Sequence, residues 1–226
     1  MRFVEYTPDS ICKAMGLRAF QFQPEDQSVG PWMRLLLMPS FHPEICLSIH
    51  LDGVGGIAEV RTFDSLFWHM PTPAHHPALF VETVSLDLAT VVNFEEAFQK
   101  AALATQADDN QFITLDGMPA IAICRDAGGK TIEMKKSLGE VSAFDSWVRI
   151  VVQNAHGLLL PGRCRNAIAA AGDYADLKLS SDLLPASVPV TRLMVLGDDA
   201  GRKQMTDILI GVQGNPDAPR VPPETA

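Results

Sequence analysis

The strongest constraint on the fold is a run of strict alternation that ends in a turn. Ile45, Leu47, Ile49 and Leu51 interleave with Cys46, Ser48 and His50, and Asp52-Gly53 follows at once. A period of two puts one set of side chains on a buried strand face and the other on a wetter one. Asp52-Gly53 and Gly55-Gly56 tolerate the positive φ that a tight reversal needs, and Ile57 to Phe63 then alternates again. The two runs are expected to form an antiparallel hairpin. Arg34 to Met38, ended by Pro39, supplies an expected preceding strand.

This segment has an echo. Leu51-Asp52-Gly53, Ile57-Ala58 and Arg61 return as Leu115-Asp116-Gly117, Ile121-Ala122 and Arg125. The spacing suggests a structural repeat. The competing explanation is chance, because aspartate-glycine after an apolar strand is common turn chemistry and the similarity fades beyond Arg61 and Arg125. The second copy predicts a meander of Phe112 to Leu115, Ala120 to Arg125 and Thr131 to Lys135, with turns at Asp116-Gly117 and 126–129. Within it Ile121 and Ile123 point one way. Ala120, Ala122 and Cys124 point the other, small enough to let a second layer approach closely.

Each meander is followed by helical periodicity. Asn93 with Glu96 reads as a capped start for a stripe of Phe94, Phe98, Ala101 and Ala102. Ser142 with Asp145 reads the same way before Phe144, Trp147, Val148, Val151, Val152 and Ala155, with Gly157 as the stop. Pro161-Gly162 opens a shorter helix through Ala167 to Ala171. Val190 to Leu196 is expected as a late strand and Arg202 to about Ile210 as a last helix. Pro71 to Pro77, with three prolines, must be irregular. The fold class is therefore α+β: two similar antiparallel β-meanders, an internal duplication in one reading, each covered by an amphipathic helix. One globular domain is expected over 1–213, with half-repeats at about 31–106 and 107–158, an α/β extension at 159–213 and a disordered tail at 214–226.

With 226 residues, 47% of them hydrophobic, the chain can bury a core without disulfides or metals. Glu5 and Asp9 interrupt any secretory signal, and the longest apolar runs fall far short of the roughly 20 residues that span a bilayer. Cys12, Cys46, Cys124 and Cys164 form no C-x-x-C pair, which fits reduced thiols and a cytoplasmic location.

Chemistry-bearing motifs are sparse. His42, His69, His75 and His76 cluster in sequence, but adjacent histidines on an extended chain point to opposite sides, and a solvated loop is the simpler reading. Arg163 and Arg165 flank Cys164 and would lower its pKa if all three were exposed together; a packed cysteine between solvated arginines is the alternative. The glycine stretches lack phosphate-loop spacing, and the acidic pairs read as solvated. No catalytic, cofactor-binding or metal-ligating residue is therefore assigned, and no cofactor is expected.

A formal net charge of −9 disfavours nucleic acid and anionic membranes and favours a basic protein. The reading that follows is a non-enzymatic, acidic protein-binding module, most concretely an immunity-type antitoxin that neutralises a basic bacterial toxin. Trp68, beside the proline loop, and Asp198 and Asp199, on an expected turn, are its candidate partner contacts. Two other classes stay open: an enzyme whose cysteine and histidine site is assembled from distant residues, and a homodimeric structural subunit that pairs through an exposed strand edge.

Overall fold

The computed structural model describes residues 6–22, 32–67, 77–105, 117–125, 129–138 and 142–182. They form an α+β unit with one six-stranded antiparallel sheet and, among the described residues, four helices. In chain order the elements are α1 (Pro8–Ala14), β1 (Met33–Leu37), β2 (Ile45–Leu51), β3 (Gly55–Phe63), β4 (Leu79–Asp87), α2 (Leu88–Thr105), β5 (Met118–Arg125), β6 (Thr131–Leu138), α3 (Ala143–Leu158) and α4 (Arg163–Tyr174). The expected late strand, last helix and tail, and the expected strand at Phe112 to Leu115, lie outside the described residues.

The sheet order is β4-β3-β2-β1-β5-β6, so β1 to β4 run as a meander and β5 joins it on the far side of β1. Asp52 Oδ1 closes the β2–β3 turn by accepting from the backbone of Val54 and Gly55 at 3.0 and 2.8 Å, while Gly53 takes a φ of 86°. The glycine-rich stretch 52–56 is thus an Asx-type turn. Ile57-Ala58 and Arg61 of the sequence echo lie on β3, and their counterparts Ile121-Ala122 and Arg125 on β5. Each is second from an edge, each hairpins into an outer strand, and each outer strand runs into a helix.

Alternation divides the core between the two faces of the sheet. Leu35, Leu37, Ile45, Leu47, Ile49, Val60, Ala120 and Ala122 point toward α2, α3 and α4. Leu36, Cys46, Phe63, Ile121 and Ile123 point the other way, onto Ile11, Cys12 and Met15 of α1 and onto Phe20. All five residues of β1 are buried because it has neighbours on both sides and layers on both faces. The small residues of β5 do what their size allows, leaving room for the helical layer. Burying each large side chain of α3 stabilises the unit by about 1.5–3 kcal/mol.

Helix starts follow capping chemistry. Ser142 Oγ accepts from the Asp145 backbone at 3.1 Å, as the sequence implied. Asn93 caps nothing: α2 begins at Leu88, directly after β4, where Asp87 Oδ1 accepts from Thr90 N at 2.7 Å. Gly157 lies inside α3, which stops at the extended Leu159 two residues before Pro161. Among the described residues no helix is long and apolar enough to cross a membrane.

Candidate partner-binding edge

A six-stranded open sheet has two edges, and in this protein they are built differently. β4 is nine residues long, alternates between exposed and partly buried positions, and carries only two charges, Glu82 and Asp87. Phe80, Glu82, Val84 and Leu86 turn toward the helical layer, following their register partners Thr62, Val60, Ala58 and Gly56. Leu79, Val81, Thr83 and Ser85 turn to the opposite face. There Leu79 and Val81 are 37% and 48% exposed beside Phe63 and Arg61 of β3, and Ile57, 42% exposed, lies beside Ser85 toward the other end of the strand. The packing of α1 against the sheet involves Leu36, Cys46, Phe63, Ile121 and Ile123, and not Leu79, Val81 or Ile57.

Both ends of β4 are fixed by aspartates. Asp64 Oδ1 accepts from Ala78 N at 3.0 Å, and Asp64 N donates to Ala78 O at the same distance, which closes the connection from β3. Asp87 at the other end is held below the usual carboxylate range by its hydrogen bonds from Thr90. In the middle, Glu82 Oε1 accepts from Leu160 N at 2.7 Å, and the Arg163 guanidinium lies 5.8 Å from the centre of the Phe80 ring. The inner face of β4 is thus tied down, while among the described residues no strand pairs with its outer rim. Gly55 permits the close pairing: a Cβ there would come within 2.3 Å of the Leu86 carbonyl oxygen.

The other edge, β6, presents Lys135 and Lys136 on opposite faces of the strand, together with Glu133, whose carboxylate accepts from Gln21 Nε2. Lysines on an outer strand blunt its tendency to pair with another chain. β4 has no such protection.

The residues singled out from sequence divide unevenly. Trp68, Asp198 and Asp199 lie outside the described residues, as do His69, His75 and His76. Phe63, Phe67 and Trp68 form an apolar cluster in the sequence, and of these Phe63 and Phe67 are buried, their rings stacked with centroids 5.6 Å apart. Phe63 is the register partner of Leu79 at the start of β4, so the described part of that cluster borders the open edge. His42 is half-buried with Nδ1 3.1 Å from Tyr174 Oη, and burial lowers its pKa. Among the described residues no group of histidine, cysteine and carboxylate side chains could hold a metal ion.

Cys164 is packed rather than activated. Burial pushes its thiol up to about 12, and its Sγ donates to Val60 O at 3.7 Å. The flanking arginines are engaged elsewhere, Arg165 on Asp182 at 3.1 Å and Arg163 over Phe80. Sequence reasoning missed β4 altogether. The signal was present in Val81, Thr83 and Val84, β-branched residues within an alternating run, but the preceding proline loop drew the reading toward irregular structure. No protein-family model, curated protein or solved structure matches the chain.

Proposed function

We propose that this chain is a non-enzymatic, acidic protein-binding module that takes up an extended, basic segment of a partner protein along β4. The β4 edge carries the reading: nine residues of outer strand that no other described strand pairs with, and exposed apolar side chains at Leu79 and Val81 on its outer face. Charge selects the occupant. β4 carries no cation, Asp87 is exposed at its end, and the whole chain has a net charge of −9, so a basic strand is drawn to it and a second copy of the same chain is repelled. The most concrete form of this reading is an immunity-type antitoxin against a basic toxin. Trp68, Asp198 and Asp199 are proposed as further contacts, and the echo shared by β3 and β5 is read as the mark of a duplication that produced both halves of the sheet.

The test uses the full chain as bait in its native host, with a photo-crosslinking amino acid at position 83. Val81→Lys with Thr83→Lys serves as the edge variant and Lys135→Glu with Lys136→Glu as the control. The expected result is one stoichiometric basic protein, crosslinked from position 83, lost at least ten-fold with the edge variant and retained by the control. Crosslinking only to a second copy of the chain would favour the homodimeric subunit instead, and equal capture by both variants would remove β4 as the site.

A further inference from the structure

The four cysteines are all buried and free, yet only two of them meet. Cys124 Sγ donates to the Arg125 carbonyl oxygen and Cys164 Sγ to that of Val60. Cys12 of α1 and Cys46 of β2 instead hydrogen-bond one another, with 0% and 1% of their surfaces exposed. They belong to the small core between α1 and the sheet, which is otherwise apolar apart from what lies beside Cys46.

That neighbour is Arg34. It is itself 6% exposed, and its guanidinium donates to Ser48 Oγ at 3.2 Å, to Phe20 O at 2.8 Å and to Ala19 O. These partners are a hydroxyl and two carbonyls, so hydrogen bonds satisfy the guanidinium but no carboxylate among them balances its charge. Ser48 also hydrogen-bonds Cys46, and Arg61 lies near enough to act on it. The Cys46 sulfur therefore has the Cys12 thiol and the Ser48 hydroxyl as hydrogen-bond partners, beside a buried cation. These groups favour the thiolate at Cys46 and keep Cys12 as the proton donor.

We propose that Cys12 and Cys46 are a redox-active dithiol that closes into a disulfide, clasping α1 to the sheet, on exposure to a low-molecular-weight disulfide. The Cys46 thiolate attacks one sulfur of that disulfide, breaking its S–S bond and expelling one small thiolate. The Cys12 sulfur then attacks Cys46, its proton passes to the departing thiolate, and the second small thiol leaves. Two protein thiols are oxidised and one small disulfide is reduced to two thiols. Access requires α1 to lift, and α1 has only seven residues. Besides its core contacts, the segment is tied to the sheet by Arg61 donating to Met15 O and by Arg34 donating to Ala19 O and Phe20 O. Lifting α1 breaks these bonds and exposes Ile11 and Met15, so the opening of α1 sets the rate of closure.

The experiment incubates the folded, reduced full chain with glutathione disulfide, then denatures, alkylates and maps it under non-reducing conditions. The expected outcome is coupled loss of the Cys12 and Cys46 thiols, one linked peptide joining them, and Cys124 and Cys164 still alkylated. The melting temperature should rise by roughly 5–10 °C and return on reduction. Cys124→Ser should close the bond as the parent does, whereas Cys12→Ser and Cys46→Ser should not. Three outcomes overturn the proposal: four free thiols in the folded chain while the urea-unfolded chain oxidises, a bond that includes Cys124 or Cys164, or a stable glutathione adduct on Cys46 with Cys12 still reduced.

Discussion

The two edges of the sheet teach how one architecture can be closed on one side and open on the other. β6 and β4 hold equivalent places, each outermost, each the second strand of a hairpin, each leading into a helix. β6 alternates lysines to its two faces and receives a hydrogen bond from Gln21 in the segment after α1. β4 keeps its charge to Glu82, turned inward onto Leu160, and to Asp87 at its end, and leaves Val81 and Thr83 facing outward. Pairing competence is thus set by a few side chains and not by topology. The same antiparallel ladder lies behind both.

That shared support gives the largest expected effect. Trp147 is fully buried, donates from Nε1 to Phe94 O at 3.1 Å and packs edge-to-face on Phe98 with centroids 5.2 Å apart. Trp147→Ala should destabilise the unit by about 3–5 kcal/mol in urea unfolding, loosening both edges together. Hydrogen exchange that accelerated at one edge alone would break the view that they share one core.

A smaller perturbation should separate them. Gly55→Ala drives a Cβ into the Leu86 carbonyl and should cost about 1–3 kcal/mol. Amide exchange should quicken along β4 while β6 keeps its protection, and uniform acceleration would show that the hairpins are not independent.

The aspartates that start the two helices offer a sharper contrast, with opposite pH signs. Asp145, in the first turn of α3, is 3% exposed, neither of its carboxylate oxygens has a hydrogen-bond partner among the described residues, and burial raises its pKa. Its ionised form opposes folding, so Asp145→Asn should melt a few degrees higher than the parent at neutral pH. That advantage should shrink as pH falls through the raised folded value and vanish below the unfolded one, about 3.9. Asp87, after β4, is fully exposed with a lowered pKa. Its contribution should hold above about pH 3.9 and fade only as pH falls below that, through the folded value. Asp87→Ala should therefore melt lower than the parent at neutral pH and converge with it in acid. Matching pH profiles for the two variants would contradict the assigned environments.

The smallest effect belongs to the exposed pair of Arg149 and Asp176, 3.2 Å apart with 37% and 84% of their side chains exposed. Arg149→Ala should change stability by less than about 0.5 kcal/mol in the same urea measurement. A larger loss would mean that the guanidinium contributes through its packing.

Legibility in the sequence followed the range of the interaction concerned. The alternation of Ile121 and Ile123 against Ala120, Ala122 and Cys124 gave the two faces of β5 correctly, since period two is a property of the strand alone. The apolar stripe and Ser142 cap of α3 were equally local. Asn93 misled because it has the right chemistry for a cap, whereas Asp87 won by standing where the strand ends and the donor at Thr90 is free. β4 was missed because Glu82, Thr83 and Ser85 interrupt its apolar residues and three prolines stand just before it.

The sequence by itself determined which segments alternate, which coil, where the Asp52-Gly53 turn falls, and the acidic net charge. Only the tertiary structure decided that β5 adds beside β1, that β4 is left outermost, and that Cys12 lies against Cys46 under the charge of Arg34. Periodicity is dictated by backbone geometry within a few residues. Strand neighbours and buried pairs depend on how distant segments share one core, a choice fixed by the energy of the whole assembly.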